Sequence, residues 1–130
     1  AQIDFMLEQR YGVERLYDDL EQADKWLDQA FAAGRRVAFA FSELYKGEFK
    51  LDKLYVHPDA QRCGVGGQLI DHVAARARQQ GYPKLILAVN KRNENAIASY
   101  RKHGFVVREA VVEDIGGGYV MDDFVMEKLL

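Results

Sequence analysis

The clearest chemistry in this sequence lies in a glycine-rich loop that joins an apolar strand to a helix. Gly64, Gly66 and Gly67 open the helical stretch, and Arg62 stands just before them. A first helical turn with little side-chain bulk exposes its unpaired N–H groups. Those donors and the positive end of the helix dipole attract an anion, most often a phosphate group. The loop therefore predicts a binding site for a phosphate-bearing cofactor.

Two other phosphate-binding motifs are also rich in glycine, but neither fits this loop. A P-loop requires a lysine after its last glycine, where this chain has Gln68. A dinucleotide-binding fingerprint requires a third glycine at the position of Leu69. The structural alternative is that the glycines only permit close packing at the helix start.

The pattern before the loop predicts one helix and three strands, at residues 13–24, 25–31, 37–42 and 49–56. Leu16 and Leu20, four residues apart, indicate one apolar helix face. Gly34 and Gly47 stand between the strand-like runs. Because glycine adopts the positive φ that a tight turn needs, both positions favour hairpins.

The pattern after the loop predicts two helices and three strands, at residues 64–80, 85–89, 93–103, 105–112 and 119–130. The first helix has an apolar stripe (Leu69, Ile70, Val73, Ala74, Ala77), and its polar residues lie away from that stripe (Asp71, His72, Arg76, Arg78, Gln79). Asn93 is a good N-cap for the second helix, and Gly104 is a stop. Glycines 116–118 predict the turn of a closing hairpin.

The uniformly apolar run at residues 85–89 predicts a strand that is covered on both faces. Together with the strand before the loop and the helix after it, this run forms a βαβ unit. Such a unit places its two strands parallel, with a right-handed crossover. We therefore expect a single mixed α/β domain.

Composition excludes several classes of function. The formal net charge of the 130 residues is −2, which offers no basic face for nucleic acid. Cys63 is the single cysteine, so no internal disulfide is expected, and a cytoplasmic location is the simplest expectation. No signal peptide or membrane span is visible. The histidines and carboxylates lack metal-ligand spacing, so no metal is expected.

Two motifs, in this order along the chain, resemble those of the GNAT superfamily of N-acetyltransferases. The first is Gln61-x-x-Gly64-x-Gly66 after a strand that ends in Leu54-Tyr55-Val56-x-Pro58. The second is Asn93-x-Asn95-Ala96-x-x-x-Tyr100-x-x-x-Gly104-Phe105. The ending, residues 114–128, resembles a bacterial branch related to spermidine/spermine N-acetyltransferases.

The resemblance implies an α/β (α+β) fold with flanking helices and a mixed, mostly antiparallel sheet that splays open at one parallel junction. Residues 1–130 would form a single acyl-CoA N-acyltransferase domain that lacks the usual first strand. The implied reaction is direct transfer of the acetyl group of acetyl-CoA to a primary amine, with a small molecule such as a polyamine as acceptor. Two alternatives stay open, an acetyltransferase of protein or peptide N-termini and a non-catalytic acyl-CoA sensor.

The resemblance also assigns roles to individual residues. The strand residues Leu54, Tyr55 and Val56 would contact the pantetheine arm of the cofactor, and Asn93 would hydrogen-bond it. The backbone of the loop would bind the pyrophosphate (Arg62, Cys63, Gly64, Val65, Gly66, Gly67). Tyr100 would stand near the thioester sulfur and return a proton to the leaving thiolate, a role that a phenol can fill. A core tyrosine is the alternative for this position.

The general base is the least defined part of the implied site. Lys50 and Ala88 stand where many family members carry a glutamate. Glu48 and Asp52, which share strand parity with Lys50, are the nearest substitutes. Asp122 is a possible contact for a cationic amine, and a solvated or capping carboxylate is the alternative. A homodimer is also possible, through pairing of the apolar strand at residues 124–126.

Overall fold

The computed structural model describes residues 2–6, 15–22, 24–61 and 64–130. Its strands are β1 (Gln2–Met6), β2 (Arg15–Gln22), β3 (Lys25–Ala32), β4 (Arg35–Tyr45), β5 (Glu48–Val56), β6 (Lys84–Asn90), β7 (Val106–Gly116) and β8 (Tyr119–Leu129). The helices are α1 (Val65–Gln79) and α2 (Glu94–Lys102), with a short 3₁₀ turn at Pro58–Ala60. The strands form one sheet in the order β1-β2-β3-β4-β5-β6-β8-β7. Every neighbouring pair is antiparallel except β5 and β6.

Two tight hairpins build the centre of the sheet, as the sequence predicts. The β3–β4 turn has positive φ at Ala33 (51°) and Gly34 (75°), and the β4–β5 turn has it at Lys46 (50°) and Gly47 (79°). Two successive residues with positive φ match the right-handed twist of the flanking strands. The antiparallel register that follows brings β5 to the middle of the sheet.

The core lies between α1 and one face of the sheet. The predicted stripe of α1 is buried (Leu69, Ile70, Val73, Ala74, Ala77), and it faces buried residues of β4, β5 and β6 (Ala38, Ala40, Phe49, Leu51, Leu85, Leu87). The prediction of a strand at residues 85–89 is confirmed, but Ala88 is exposed. Burial on both faces therefore covers only the first part of β6.

The prediction of a helix at residues 13–24 is wrong, because residues 15–22 form strand β2. Leu16 and Leu20 suggested a helix face through their spacing of four. An even spacing also places two residues on one face of a strand, so this pattern does not separate the two structures. Pairing with β1 on one side and β3 on the other decides in favour of the strand. The expected absence of the family's usual first strand stays a prediction.

Arg76 was expected on the polar face of α1, but the structure buries it. Its guanidinium donates to both carboxylate oxygens of Asp28, at 2.8 and 2.7 Å, and Asp28 is fully buried on β3. His72 Nε2 lies 3.3 Å from Asp28 Oδ1, and the guanidinium lies 5.7 Å from the ring centre of Trp26. Because the partner sits on a distant strand, periodicity along α1 alone gave no indication of this ion pair.

Candidate functional site

The parallel junction between β5 and β6 opens after two residue pairs. Phe49 pairs with Leu85 and Lys50 pairs with Ile86, and beyond them the two strands are not paired. On its other side β5 stays paired with β4 as far as Val56, with an irregularity that leaves Asp52 unpaired. Such bulges bend a strand and often occur near functional sites. A V-shaped opening therefore separates the carboxyl halves of β5 and β6.

The backbone groups of Leu54 and Val56 face this opening. The amide N–H of His57 donates to the carbonyl of Val37 on β4 at 2.7 Å, so the Val56 carbonyl points away from β4. Consistent with this direction, the Gln61 side chain donates to the Val56 carbonyl at 3.2 Å. Backbone direction alternates along a strand, so Leu54 faces the same way. Tyr55 has the opposite direction, and its ring stacks on Phe39.

The amino end of α1 lies next to the end of β5. Gly64 is the N-cap residue, with a left-handed φ of 81°, and no side chain of the described residues caps the helix. An ideal Cβ on Gly66 would lie 3.4 Å from Val56 Cγ2, and one on Gly67 would lie 2.7 Å from His103 Cε1. Close packing therefore accounts for Gly67, while no described side chain accepts from the first-turn N–H groups. Arg62 and Cys63 lie outside the described residues.

The second motif forms α2 as predicted. The side-chain oxygen of Asn93 accepts from the amide N–H of Ala96 at 3.2 Å, which confirms its role as N-cap. Tyr100 is half-buried on the same helix and packs edge-on against the ring of Phe105, with 5.7 Å between centres. Burial raises the pKa of the Tyr100 phenol, so the hydroxyl keeps its proton at neutral pH.

A cavity of about 260 Å³ lies where β6, β7 and β8 meet the β4–β5 turn. Its apolar lining comes mainly from the three strands (Ile86, Leu87, Ala88, Val111, Met121, Val125), and Tyr45 adds an aromatic ring. Its charged lining comprises Lys46, Glu48, Lys50, Arg108, Glu109, Glu113 and Asp123. Lys50 and Ile86 are the last pair of the parallel junction, and Leu87 and Ala88 follow on β6 and also line the cavity, so it lies where the two strands begin to separate.

Glu48 lines this cavity, but its carboxylate is already bound. Arg108 donates to both of its oxygens, at 2.7 and 3.1 Å. These hydrogen bonds lower the pKa of Glu48, so it holds a proton less readily than an ordinary glutamate. Asp52, the other expected base, has a looser contact, 3.9 Å from the Lys50 ammonium.

The structure separates the neighbouring residues Asp122 and Asp123. Asp122 forms an ion pair with Lys91 at 2.5 Å and is not among the residues that line the cavity. Asp123 is half-buried and does line it. Successive strand residues point to opposite faces, so only one of the two can reach the cavity. The β8 register was needed to choose between them.

The interior position of β8 also corrects the expected dimer contact. Residues 124–126 pair with β6 on one side and with β7 on the other. No edge of this segment is open to a second chain. Between the described residues, no group of three or more His, Cys, Asp or Glu side chains is placed to hold a metal ion. No helix in the described part of the chain is long and apolar enough to cross a membrane.

A mixed sheet that opens at its parallel pair, beside an uncapped helix, defines the fold of the acyl-CoA N-acyltransferases. The chain belongs to the GNAT family of acetyltransferases, whose sequence model matches residues 3–105. The expected family and fold class are thus confirmed.

Two curated relatives are named as protein acetyltransferases. The chain is 39% identical over 70 residues to peptidyl-lysine N-acetyltransferase YjaB of Escherichia coli, across 53% of this chain and 44% of the relative. It is 34% identical over 85 residues to the ribosomal protein bS18-alanine N-acetyltransferase of Escherichia coli, across 65% of this chain and 57% of the relative. The chain therefore spans about half the length of these relatives.

Solved structures agree with the fold. PaiA N-acetyltransferase from Thermoplasma acidophilum, in complex with coenzyme A, has a TM-score of 0.68 at 26% identity, over 82% of this chain and 62% of that one. A streptothricin acetyltransferase from Bacillus anthracis has a TM-score of 0.78 at 17% identity, over 85% of this chain and 65% of that one. These relatives support the superfamily but give no support to the spermidine/spermine branch.

Proposed function

We propose that this chain is an acetyl-CoA-dependent N-acetyltransferase that acts on a primary amine. The observation that carries the proposal is the opening between β5 and β6 beside the uncapped amino end of α1. A strand with unpaired backbone groups binds an extended, amide-bearing arm, and a helix amino end binds phosphate. Coenzyme A has both parts in one molecule.

The backbone of this chain would hold the co-substrate. Leu54 would offer its N–H and C=O groups to the pantetheine arm and Val56 its N–H group, because the Gln61 side chain already donates to the Val56 carbonyl. The N–H groups of residues 64–67 would bind the pyrophosphate. Asn93 uses its side-chain oxygen as a helix cap, so its NH₂ group is the part left for the cofactor arm. Arg62 and Cys63 remain predicted contacts from the sequence.

Tyr100 is proposed as the general acid. A neutral amine attacks the thioester carbonyl, the carbon–sulfur bond breaks, and the thiolate takes the phenol proton. Burial raises the pKa of Tyr100, which keeps the acid protonated before the reaction. The amine proton leaves to solvent, and the Tyr100 phenolate takes a proton back from solvent after the product leaves. Neither expected carboxylate is assigned as a direct base, because Arg108 is bound to Glu48 and Asp52 is not among the residues that line the cavity.

The acceptor is proposed to be an amine on a protein or peptide. The named activities of the two curated relatives, on peptidyl lysine and on the alanine of a ribosomal protein, favour this class. A polyamine or another small amine is the second candidate, because the cavity carries carboxylates that attract a cationic ligand.

Free-thiol release from acetyl-CoA tests the proposal against a panel of lysine peptides, amino-terminal peptides, polyamines and aminoglycosides. Turnover with one class would establish the enzyme and its acceptor. Tight acetyl-CoA binding without turnover on any acceptor would favour a sensor domain. Absence of acetyl-CoA binding would refute the assignment of the opening and of the loop at residues 61–67.

A further inference from the structure

The cavity beside the β5–β6 opening has charges of opposite sign at its two ends. The pairing register orders these residues along the sheet. On β8, Val125 pairs with Ala88 of β6 on one side and with Glu109 of β7 on the other. Two residues earlier on β8, Asp123 pairs with Val111, and two residues earlier again Met121 pairs with Glu113. The carboxylates thus follow one another toward the open end of the sheet.

The positive charges of the cavity lie at the other end. Lys46 is in the β4–β5 turn and Lys50 is at the closed junction, and both ammonium groups stand over the ring of Tyr45, at 5.2 and 4.6 Å from its centre. Arg108 is bound to Glu48 and lies 3.8 Å from Glu109. The carboxylates of Glu113 and Asp123 form no hydrogen bond or ion pair with other described residues. Among the cavity carboxylates, these two are the ones left for a ligand.

Between the carboxylates the cavity floor is apolar. Val111, Met121 and Val125 are all half-buried and line it. An apolar floor below a charged rim suits an aliphatic chain that ends in an ammonium group. Other carboxylates of the hairpin are already paired, since Asp122 lies 2.5 Å from Lys91, Glu127 lies 3.0 Å from Lys84 and Glu109 lies 3.8 Å from Arg108.

We propose that Glu113 and Asp123 determine acceptor specificity by binding a second positive charge on the acceptor. The acceptor is then an aliphatic primary amine that carries another cation away from its reacting nitrogen. A lysine next to basic residues and a polyamine share this chemistry. The inference rests on the proposed acetyltransferase activity, and it adds which amines the cavity selects.

A pair of amines of equal length tests the inference. We expect the wild-type chain to acetylate diaminopentane with a higher kcat/KM than pentylamine. Asp123→Asn combined with Glu113→Gln should lower kcat/KM for the diamine, through KM, by on the order of fivefold for each carboxylate removed. The value for pentylamine should stay nearly constant. Diaminopentane should also bind the wild-type chain more tightly than the double variant in calorimetry without acetyl-CoA.

Asp122→Asn is the matched control for Asp123→Asn alone, because it removes the same charge from the adjacent residue on the opposite face. An equal effect of Asp122→Asn would show a long-range field and overturn the inference. Equal kcat/KM for the two amines in the wild-type chain would overturn it as well. If neither amine is acetylated and acetyl-CoA does not bind, the proposed function itself fails.

A second pair of substrates separates the two sources of the chemistry. Lysine peptides with arginine neighbours are compared with the same peptides carrying glutamate neighbours, and spermidine is measured alongside. A preference for the arginine-flanked peptide that disappears in the double variant would identify a basic protein segment. The same loss confined to spermidine would identify a polyamine. A glutamate-flanked peptide as the better substrate would contradict the assignment.

Discussion

At the scale of single residues, the proposed general acid Tyr100 has a phenol whose pKa is raised by burial. That phenol is half-buried against Phe105. An acid with a raised pKa stays protonated over a wider range of alkaline pH. Loss of its function with rising pH should therefore begin above the ordinary tyrosine range of about 10.

Tyr100→Phe should lower kcat toward the smaller end of the roughly 10²–10⁴-fold range for general acids, because a thiolate already leaves readily. The affinity for acetyl-CoA should stay unchanged, since the ring keeps its packing. Steady-state kinetics and calorimetry measure the two quantities. An unchanged kcat would leave Tyr100 as a core residue only.

Gly67 shows how a residue type is fixed by a neighbour far away in the sequence. A Cβ at this position would lie 2.7 Å from the imidazole of His103. We expect Gly67→Ala to be less stable than Gly66→Ala in urea unfolding, because both changes gain helix propensity of about 1 kcal/mol but only Gly67→Ala has to displace that ring. Gly66→Ala is the control, because its Cβ would make an ordinary contact of 3.4 Å with Val56.

A double variant tests this explanation. If the imidazole causes the penalty, His103→Ala should remove most of the effect of Gly67→Ala. Additive effects of the two changes would mean that the ring is not the cause.

At the scale of elements, the Asp28–Arg76 pair joins α1 to β3. Burial acts to raise the pKa of Asp28, but hydrogen bonds and charges from Arg76 and His72 outweigh it, and the net pKa is lowered. A carboxylate with a lowered pKa in the folded state stabilises the fold above its unfolded pKa of about 3.9. This contribution is lost as pH falls below that value toward the folded pKa.

Asp28→Asn should lower the free energy of unfolding at pH 7 by about 3–5 kcal/mol, since it leaves the Arg76 guanidinium buried without its counter-charge. Urea unfolding at pH 7 and below pH 4 checks both the size and the sign, and the difference between variant and wild type should shrink in acid. Glu48→Gln is the control. It breaks a partly exposed pair with Arg108, which should contribute less than about 1 kcal/mol.

At the scale of the whole molecule, different parts of the sheet have different roles. One face packs α1 and forms the core, and the β6–β8–β7 region beside the parallel junction lines the cavity. The proposed co-substrate and acceptor thus meet from two sides of one opening. Binding of acetyl-CoA should then stabilise the folded chain as a whole, by about 2.7 kcal/mol at a hundred times Kd.

Hydrogen exchange locates this stabilisation. Acetyl-CoA should protect the amides of residues 54–56 and 64–67 most strongly, while the β3–β4 turn at Ala33 and Gly34 should change little. Uniform protection over both regions would show only global stabilisation. Protection confined to the hairpin of β7 and β8 would place the co-substrate elsewhere.

Local features of this protein could be predicted from its amino-acid sequence. These features depend on near neighbours in the chain. They are the glycines at the turns, the apolar stripe of α1, the Asn93 cap and the uniformly apolar run of β6. Family membership followed from the two motifs for the same reason, because each motif is a local arrangement of backbone and side chains. The βαβ crossover between β5 and β6 was likewise determined by chain order and handedness.

Contacts between residues on different strands could not be predicted in this way. An even spacing of Leu16 and Leu20 fits a helix and a strand alike, and the pairing of β2 with its neighbours chose the strand. Three features depend on partners that are distant in sequence. Arg76 is buried against Asp28, Glu48 is bound by Arg108, and Asp123 rather than Asp122 lines the cavity. Pairing register sets these contacts, and a shift of one residue would send each side chain to the other face.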